Sequence, residues 1–152
     1  MILYLDTSAF LKLYLDGKGR SATQKAVDEA NIICTHLITY AEMRAAFAMA
    51  HRMQRITDSE LPGHLEQFER DWGSIRTINA DMSLVRRAGD LAMRYGLRGY
   101  DSIHLACADR LRSVKPARQV MTFAAFDKKL LARAKELGLS ILCPDHLPDF
   151  PT

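Results

Sequence analysis

Apolar positions along the chain fall into two kinds of block. At the amino terminus Ile2, Leu3, Tyr4 and Leu5 form an unbroken run, the pattern of a strand covered on both faces, as in a parallel sheet with helices on either side. Similar short runs stand at 32–35, 75–78, 119–123 and 139–142. Between them, segments 8–15, 21–30, 37–52, 57–72, 81–95, 99–112 and 126–137 carry helical spacing, helix-forming composition or both. Asp16-Gly17-Lys18-Gly19 closes the first of these, and Gly96 and Gly138 close two others. Parallel neighbours need crossover helices to return the chain, so the alternation predicts an α/β fold: a three-layer α/β/α sandwich with a central, mainly parallel sheet.

Four acids interrupt this pattern. Asp6 directly follows the first strand, Asp101 and Asp127 stand at or near helix starts, and all three suit N-caps, where a carboxylate accepts bonds from unpaired N–H groups. In open parallel sheets the turns after the strand ends also gather along one edge, where ligands bind. Asp6 and Asp127 follow predicted strands, whereas Asp101 has none before it. Glu42 is different, because it lies within helix 37–52 among Ile38, Thr39, Ala45, Ala46 and Met49, and no cap explains it. A carboxylate in an apolar stripe needs a partner, whether an arginine such as Arg44 or an ion.

Length and charge narrow the chemistry. The 152 residues, 48% hydrophobic, suit one domain over 1–143, followed by an irregular tail, 144–152, that holds three of the five prolines. A net charge of +3 permits a nucleic-acid partner without announcing one. Three cysteines without a C-x-x-C pair argue against a disulfide framework and for a reducing cytoplasm. No apolar stretch approaches the ~20 residues of a membrane span, so a soluble protein is expected.

If Asp6, Glu42, Asp101 and Asp127 converge, each pair of charges about 4 Å apart repels by about 4 kcal/mol at an effective dielectric near 20. A divalent cation removes that cost, and an all-oxygen donor set suits Mg²⁺ or Mn²⁺ rather than zinc. Such a centre supports phosphodiester hydrolysis.

YLDTSAFLKLY, the glutamate of TYAEMRAAFA, GLRGYDSIHLACA and TFAAFDKKLLARAKELGL, in that order from Ile2 to about Leu142, resemble the PIN-domain ribonucleases, most closely the VapC-like toxins of toxin–antitoxin pairs. The resemblance implies a metal-dependent endoribonuclease in which Asp6, Glu42 and Asp101 hold Mg²⁺ or Mn²⁺. It places Asp127 in a supporting role, through an outer-shell contact or at a second metal. It further implies an RNA substrate, a homodimer, and a small antitoxin that inserts into the active-site groove and binds DNA. Phe10, Leu13, Tyr14 and the Ala/Met-rich helix offer candidate contact surfaces, although an interior place suits them equally well.

Around these acids, Thr7 and Ser8 are candidates to bond a metal water or a phosphate, although capping explains them equally well. Lys128 and Lys129 are the first candidates to offset the negative cluster for RNA, and Trp72 or Tyr100 to stack on a base. His104, one turn after Asp101, reads as a packed, hydrogen-bonded histidine. Cys34 with His36, and Cys143 with His146, are zinc-type pairs at no standard spacing.

Two other functions compete. Aspartate-based phosphoryl transfer also places an acid after the first strand, but Ser8 stands where dehalogenase-like phosphatases need a second aspartate, and the acidic pair of receiver domains is absent. A PIN-like binding module without activity is the other reading, opposed by the retention of the acids. Dinucleotide binding is set aside, since no G-x-G-x-x-G follows the first strand.

Overall fold

The computed structural model describes residues 1–142. Five strands, β1 (Ile2–Leu5), β2 (Ile32–His36), β3 (Arg76–Ile78), β4 (Met121–Ala124) and β5 (Ser140–Ile141), form one sheet in the order β3-β2-β1-β4-β5. Every pairing is parallel, with Tyr4 opposite Cys34 on one side and Phe123 on the other. The helices are α1 (Thr7–Leu11), α2 (Arg20–Glu29), α3 (Thr39–Arg52), α4 (Leu61–Trp72), α5 (Met82–Tyr95), α6 (Gly99–Val114) and α7 (Lys128–Glu136).

Alternation along β1 sorts the core into two layers. Ile2 and Tyr4 pack with α5, α6 and α7 through Leu84, Leu91, Leu105 and Leu130. Leu3 and Leu5 pack on the opposite face with Phe10, Met43, Phe47 and Phe68 from α1, α3 and α4. The expected three-layer sandwich is therefore present, and β1 is the strand from which the order runs outward in both directions. The edge beyond its carboxyl end is where such sheets bind ligands.

Local chemistry sets the boundaries. Asp6, Asp81 and Asp127 each accept a bond from a backbone N–H three residues on, capping α1, α5 and α7. Thr57 and Glu60 bond each other's backbone N–H, the reciprocal capping box that leads into α4. Helix α3 begins at Thr39 rather than Leu37, because the Leu37 N–H bonds Ile78 and so extends the sheet edge. Gly96 ends α5 with φ of 62°, in the left-handed region where a side chain costs energy. Gly96→Ala is expected to cost about 1 kcal/mol, lowering Tm by about 2–4 °C in a thermal melt.

Candidate active site

The turn from β1 into α1 brings Asp6 to the sheet edge, where its N–H bonds the carbonyl of Ala124 at the end of β4. Its carboxylate is only 4% exposed. Oδ1 accepts from the Ala9 N–H at 2.8 Å, and the Ser8 hydroxyl lies within 2.9 Å of both oxygens. That hydroxyl accepts in turn from the Phe126 N–H at 2.7 Å, tying Asp6 to the loop that leads into Asp127. Burial pushes the Asp6 carboxyl up to about 6, against the pull of His104 and these hydrogen bonds, and the charge of Asp101 adds to the rise.

Glu42 reaches the same edge from α3. Arg44 does not neutralise it, since Arg44 pairs with Glu69 at 3.3 Å. Its Oε2 accepts from Thr7 Oγ1 at 2.6 Å and lies 2.8 Å from His104 Nε2. Burial alone would raise the Glu42 carboxyl, but bonds from His104 and Thr7 hold it below the ordinary glutamate value. An ionised carboxylate only accepts, so His104 Nε2 carries the proton of that bond. Behind it, Tyr4 Oη lies 2.9 Å from His104 Nδ1, completing a buried line from the central strand to Glu42. Among the described residues both donors fall on Oε2, and Oε1 makes no hydrogen bond.

Asp101, in the first turn of α6, bonds Arg98 Nε at 2.8 Å. Glu42 and Asp101 line one cleft of about 350 Å³ together with Arg98, Gly99, Tyr100 and Ile103. Asp127 lies one loop beyond β4 and caps α7 through the Leu130 N–H at 2.8 Å. Lys128 and Lys129 follow it in exposed positions, Lys129 bonding the Gly96 carbonyl at 2.6 Å.

Each of these acids is spent on a protein partner: Asp6 on a helix cap, Glu42 on Thr7 and His104, Asp101 on Arg98. Among the described residues no three His, Cys, Asp or Glu side chains stand grouped to hold a metal ion. The donor chemistry nevertheless fits a hard cation. Asp6 is a buried carboxylate raised by its surroundings and, among the described residues, without a Lys or Arg partner, and Glu42 and Asp101 supply further oxygens from a shared cleft.

Several sequence expectations change here. Phe10 and Tyr14 are interior, 0% and 6% exposed, because α1 and the turn after it send both rings into the core beside Phe47 and Phe68; they are not contact surfaces. Trp72 packs on Phe10, Tyr40 and Phe68, which leaves Tyr100, 56% exposed, as the available stacking ring of the two. His104 is packed and hydrogen-bonded as read, and it also carries Glu42, a role foreshadowed only by its position one turn after Asp101. Arg98 was not singled out; its position three residues before Asp101, within one helical turn, was the available signal. Cys34 and His36 are both buried, and Cys143, His146 and the tail 144–152 lie outside the described residues.

Residues 3–137 match the PIN domain family. Ribonuclease VapC45 of Mycobacterium tuberculosis (strain CDC 1551 / Oshkosh) is 35% identical over 140 residues, 92% of this chain and 94% of that protein. Two solved structures share the fold. One is VapBC-5, a member of the VapBC family of toxin-antitoxin systems from Mycobacterium tuberculosis, with a TM-score of 0.61 at 17% identity over 93% of this chain and 97% of that one. The other is FitAB bound to an IR36 DNA fragment, with a TM-score of 0.64 at 20% identity over 98% and 99% of the two chains. With a parallel central sheet between helical layers and a family match over nearly its whole described length, this chain belongs to the PIN-domain family.

Proposed function

We propose that the chain is a Mg²⁺- or Mn²⁺-dependent endoribonuclease and the toxin of a toxin–antitoxin pair. The observation that carries this reading is the cleft shared by Glu42 and Asp101, with the charge of Asp101 adding to the rise of the buried Asp6 carboxyl. The ribonuclease name of a relative at 35% identity supports the substrate class, and the toxin-antitoxin complexes of the same fold support a small antitoxin partner.

In this reading Asp6, Glu42 and Asp101 hold the ion, and Asp127 supports them from the α7 cap. A divalent ion held by these residues would supply the Lewis acidity for water activation and for charge compensation at the scissile phosphate. The chain's own residues prepare that site. Thr7 and His104 fix the Glu42 carboxylate on one oxygen, and Ser8 fixes Asp6 against the β4–α7 loop. Thr7 and Ser8 would therefore act on the substrate mainly through the acids they orient. Lys128 and Lys129 lower the repulsion that RNA meets beside the acids.

The direct test is cleavage of a mixed RNA by the purified chain with Mn²⁺, with Mg²⁺ and with EDTA. Cutting in either metal and none in EDTA is expected; equal cutting in EDTA contradicts the metal requirement. A thermal melt adds an independent readout. Mn²⁺ at 100 times its Kd is expected to stabilise the fold by about 2.7 kcal/mol, and no shift would favour a module without a working centre.

The same reading includes a homodimer in a reducing cytoplasm. Cys34 and Cys107 are free and buried, and among the described residues no helix is long and apolar enough to cross a membrane. Exposed Met82, Val85 and Met93 lie on the outer side of α5 and offer apolar surface for a second copy. Light scattering is expected to give twice the 17.2 kDa chain mass; a monomer at micromolar concentration removes the dimer.

A further inference from the structure

The acid edge explains where a phosphodiester would be cut but not how a strand is seated there. The cleft of about 350 Å³ beside the acids has a second half that the metal reading does not use, made by Arg98, Gly99, Tyr100 and Ile103 at the start of α6. Its size is at the lower end of ligand pockets, about 300–1,000 Å³.

Tyr100 is a large aromatic side chain left 56% exposed. Among the described residues its ring meets no other aromatic and its hydroxyl makes no hydrogen bond, in contrast to Tyr4, Tyr14 and Tyr40, which all have polar partners. Ile103, one turn further along α6, extends the apolar wall beside it. Arg98 has a side chain that is 80% exposed, and its polar contact among the described residues is Asp101. An exposed ion pair of this kind is weak, so the guanidinium is free to exchange a carboxylate for a phosphate, which it can hold through two parallel bonds.

We propose that this half of the cleft is a nucleotide subsite: it takes one RNA nucleotide flanking the cleaved bond, its base against the Tyr100 ring and its phosphate on Arg98. The proposal rests on the ribonuclease reading and adds to it the residues that seat the strand. A nucleotide fits the chemistry better than an apolar peptide side chain, because it joins a flat π face to an anion as Tyr100 joins to Arg98. Every other charged group lining the cleft, Glu42 and Asp101, is negative, so Arg98 is the one place within it where a phosphate is attracted. Contact with RNA would also draw Arg98 off Asp101 and release that carboxylate toward the ion. Arg98 and Tyr100 are positioning residues in this scheme, and the acids remain the site of chemistry.

The test uses the full chain with Mn²⁺ and a short oligoribonucleotide that the wild type cuts, compared with versions carrying an abasic ribose at each position flanking the cut. For the wild type, one abasic position is expected to raise KM by about 5- to 150-fold, the range of base–aromatic stacking. Tyr100→Ala should lose that discrimination and Tyr100→Phe should keep it. Arg98→Ala should raise KM more than it lowers kcat and make the logarithmic salt dependence shallower by about 0.7, one phosphate's share on a single strand, while calorimetric Mn²⁺ affinity in the absence of RNA does not weaken. Unchanged melting temperatures would show that these exposed substitutions leave the fold intact.

If the wild type cuts RNA but ignores every abasic position, or Tyr100→Ala keeps the discrimination, the subsite is overturned and the ribonuclease reading stands. If the variants lose affinity for a protein partner with no change in KM for RNA, a protein side chain occupies the cleft and the proposal falls. If the wild type cuts no RNA in Mn²⁺, the ribonuclease reading fails and the subsite fails with it.

Discussion

Asp6→Asn is expected to lower RNA cleavage by a factor on the order of 10³ or more, as loss of a group central to a catalytic unit does, while making the metal-free protein more stable at pH 7.5. Both halves follow from the position of one side chain. Asn keeps the acceptor that caps α1 through the Ala9 N–H, so the local fold is preserved. What disappears is a buried charge. The folded Asp6 carboxyl is raised from 3.8 to about 6, so between those values the native state binds a proton that the unfolded chain does not. Stability from this group is therefore fully present below the lower value and declines as pH rises through the upper one. Above it, an ionised Asp6 costs about 3 kcal/mol for the shift of roughly two units.

Asn does not carry that cost, and Tm at pH 7.5 is expected to rise by about 2–4 °C for each kcal/mol recovered. Near pH 4 the variant and wild type should melt together, and Mn²⁺ should stabilise only the wild type. Cleavage by the wild type should rise with pH through about 6 as Asp6 ionises. A variant that melts lower than wild type at pH 7.5 would show that the Asp6 charge is compensated within the fold and needs no ion.

His104→Leu is expected to have the next largest effect, in the opposite sense for stability. Its imidazole is 2% exposed and holds Tyr4 on one nitrogen and Glu42 on the other. Leucine fills much of the space but leaves a buried phenol and a half-buried carboxylate without their partner, each costing about 1–3 kcal/mol. Tm should fall by several degrees at about 2–4 °C per kcal/mol. Mn²⁺ affinity should drop by about 10- to 100-fold, as it does when the group that orients a ligand is lost. His104→Gln can still donate to Glu42 and should recover most of the metal affinity with little of the stability. That split, measured by calorimetric titration and denaturant melts, separates orientation of Glu42 from filling of the core; equal losses in both variants would reduce His104 to packing.

The reading from sequence succeeded where one residue's own chemistry decided the outcome. Four consecutive apolar residues at Ile2–Leu5 required burial on both faces. Asp6 and Asp127 were expected as caps and are caps, because a short carboxylate before a helix bonds its own backbone; Asp101, given the same reading, caps nothing, because α6 starts at Gly99 and puts it in the first turn on Arg98. Glu42 stood out because it lies in an apolar stripe inside a helix, where no cap explains a carboxylate.

What remained hidden depends on tertiary placement. Asp101 has no strand before it, since α5 runs directly into α6, and only the packed position of α6 against the sheet carries it to the edge. The partner of Glu42 is His104, 62 positions away in the chain, beyond the reach of any helical spacing. Phe10 and Tyr14 appeared equally suited to an interface or an interior, because a short amphipathic helix reads the same against either. The pairing of Arg98 with Asp101 is local, yet its meaning depends on the cleft that Glu42 closes from another helix.

Crystals of the wild-type chain soaked in Mn²⁺ and measured for anomalous scattering test the central claim most directly. The account predicts a single strong peak within bonding distance of Asp6, Asp101 and Glu42, with the Asp101 carboxylate turned away from Arg98. A map without a peak among these three side chains, at a Mn²⁺ concentration that supports RNA cleavage, would contradict it.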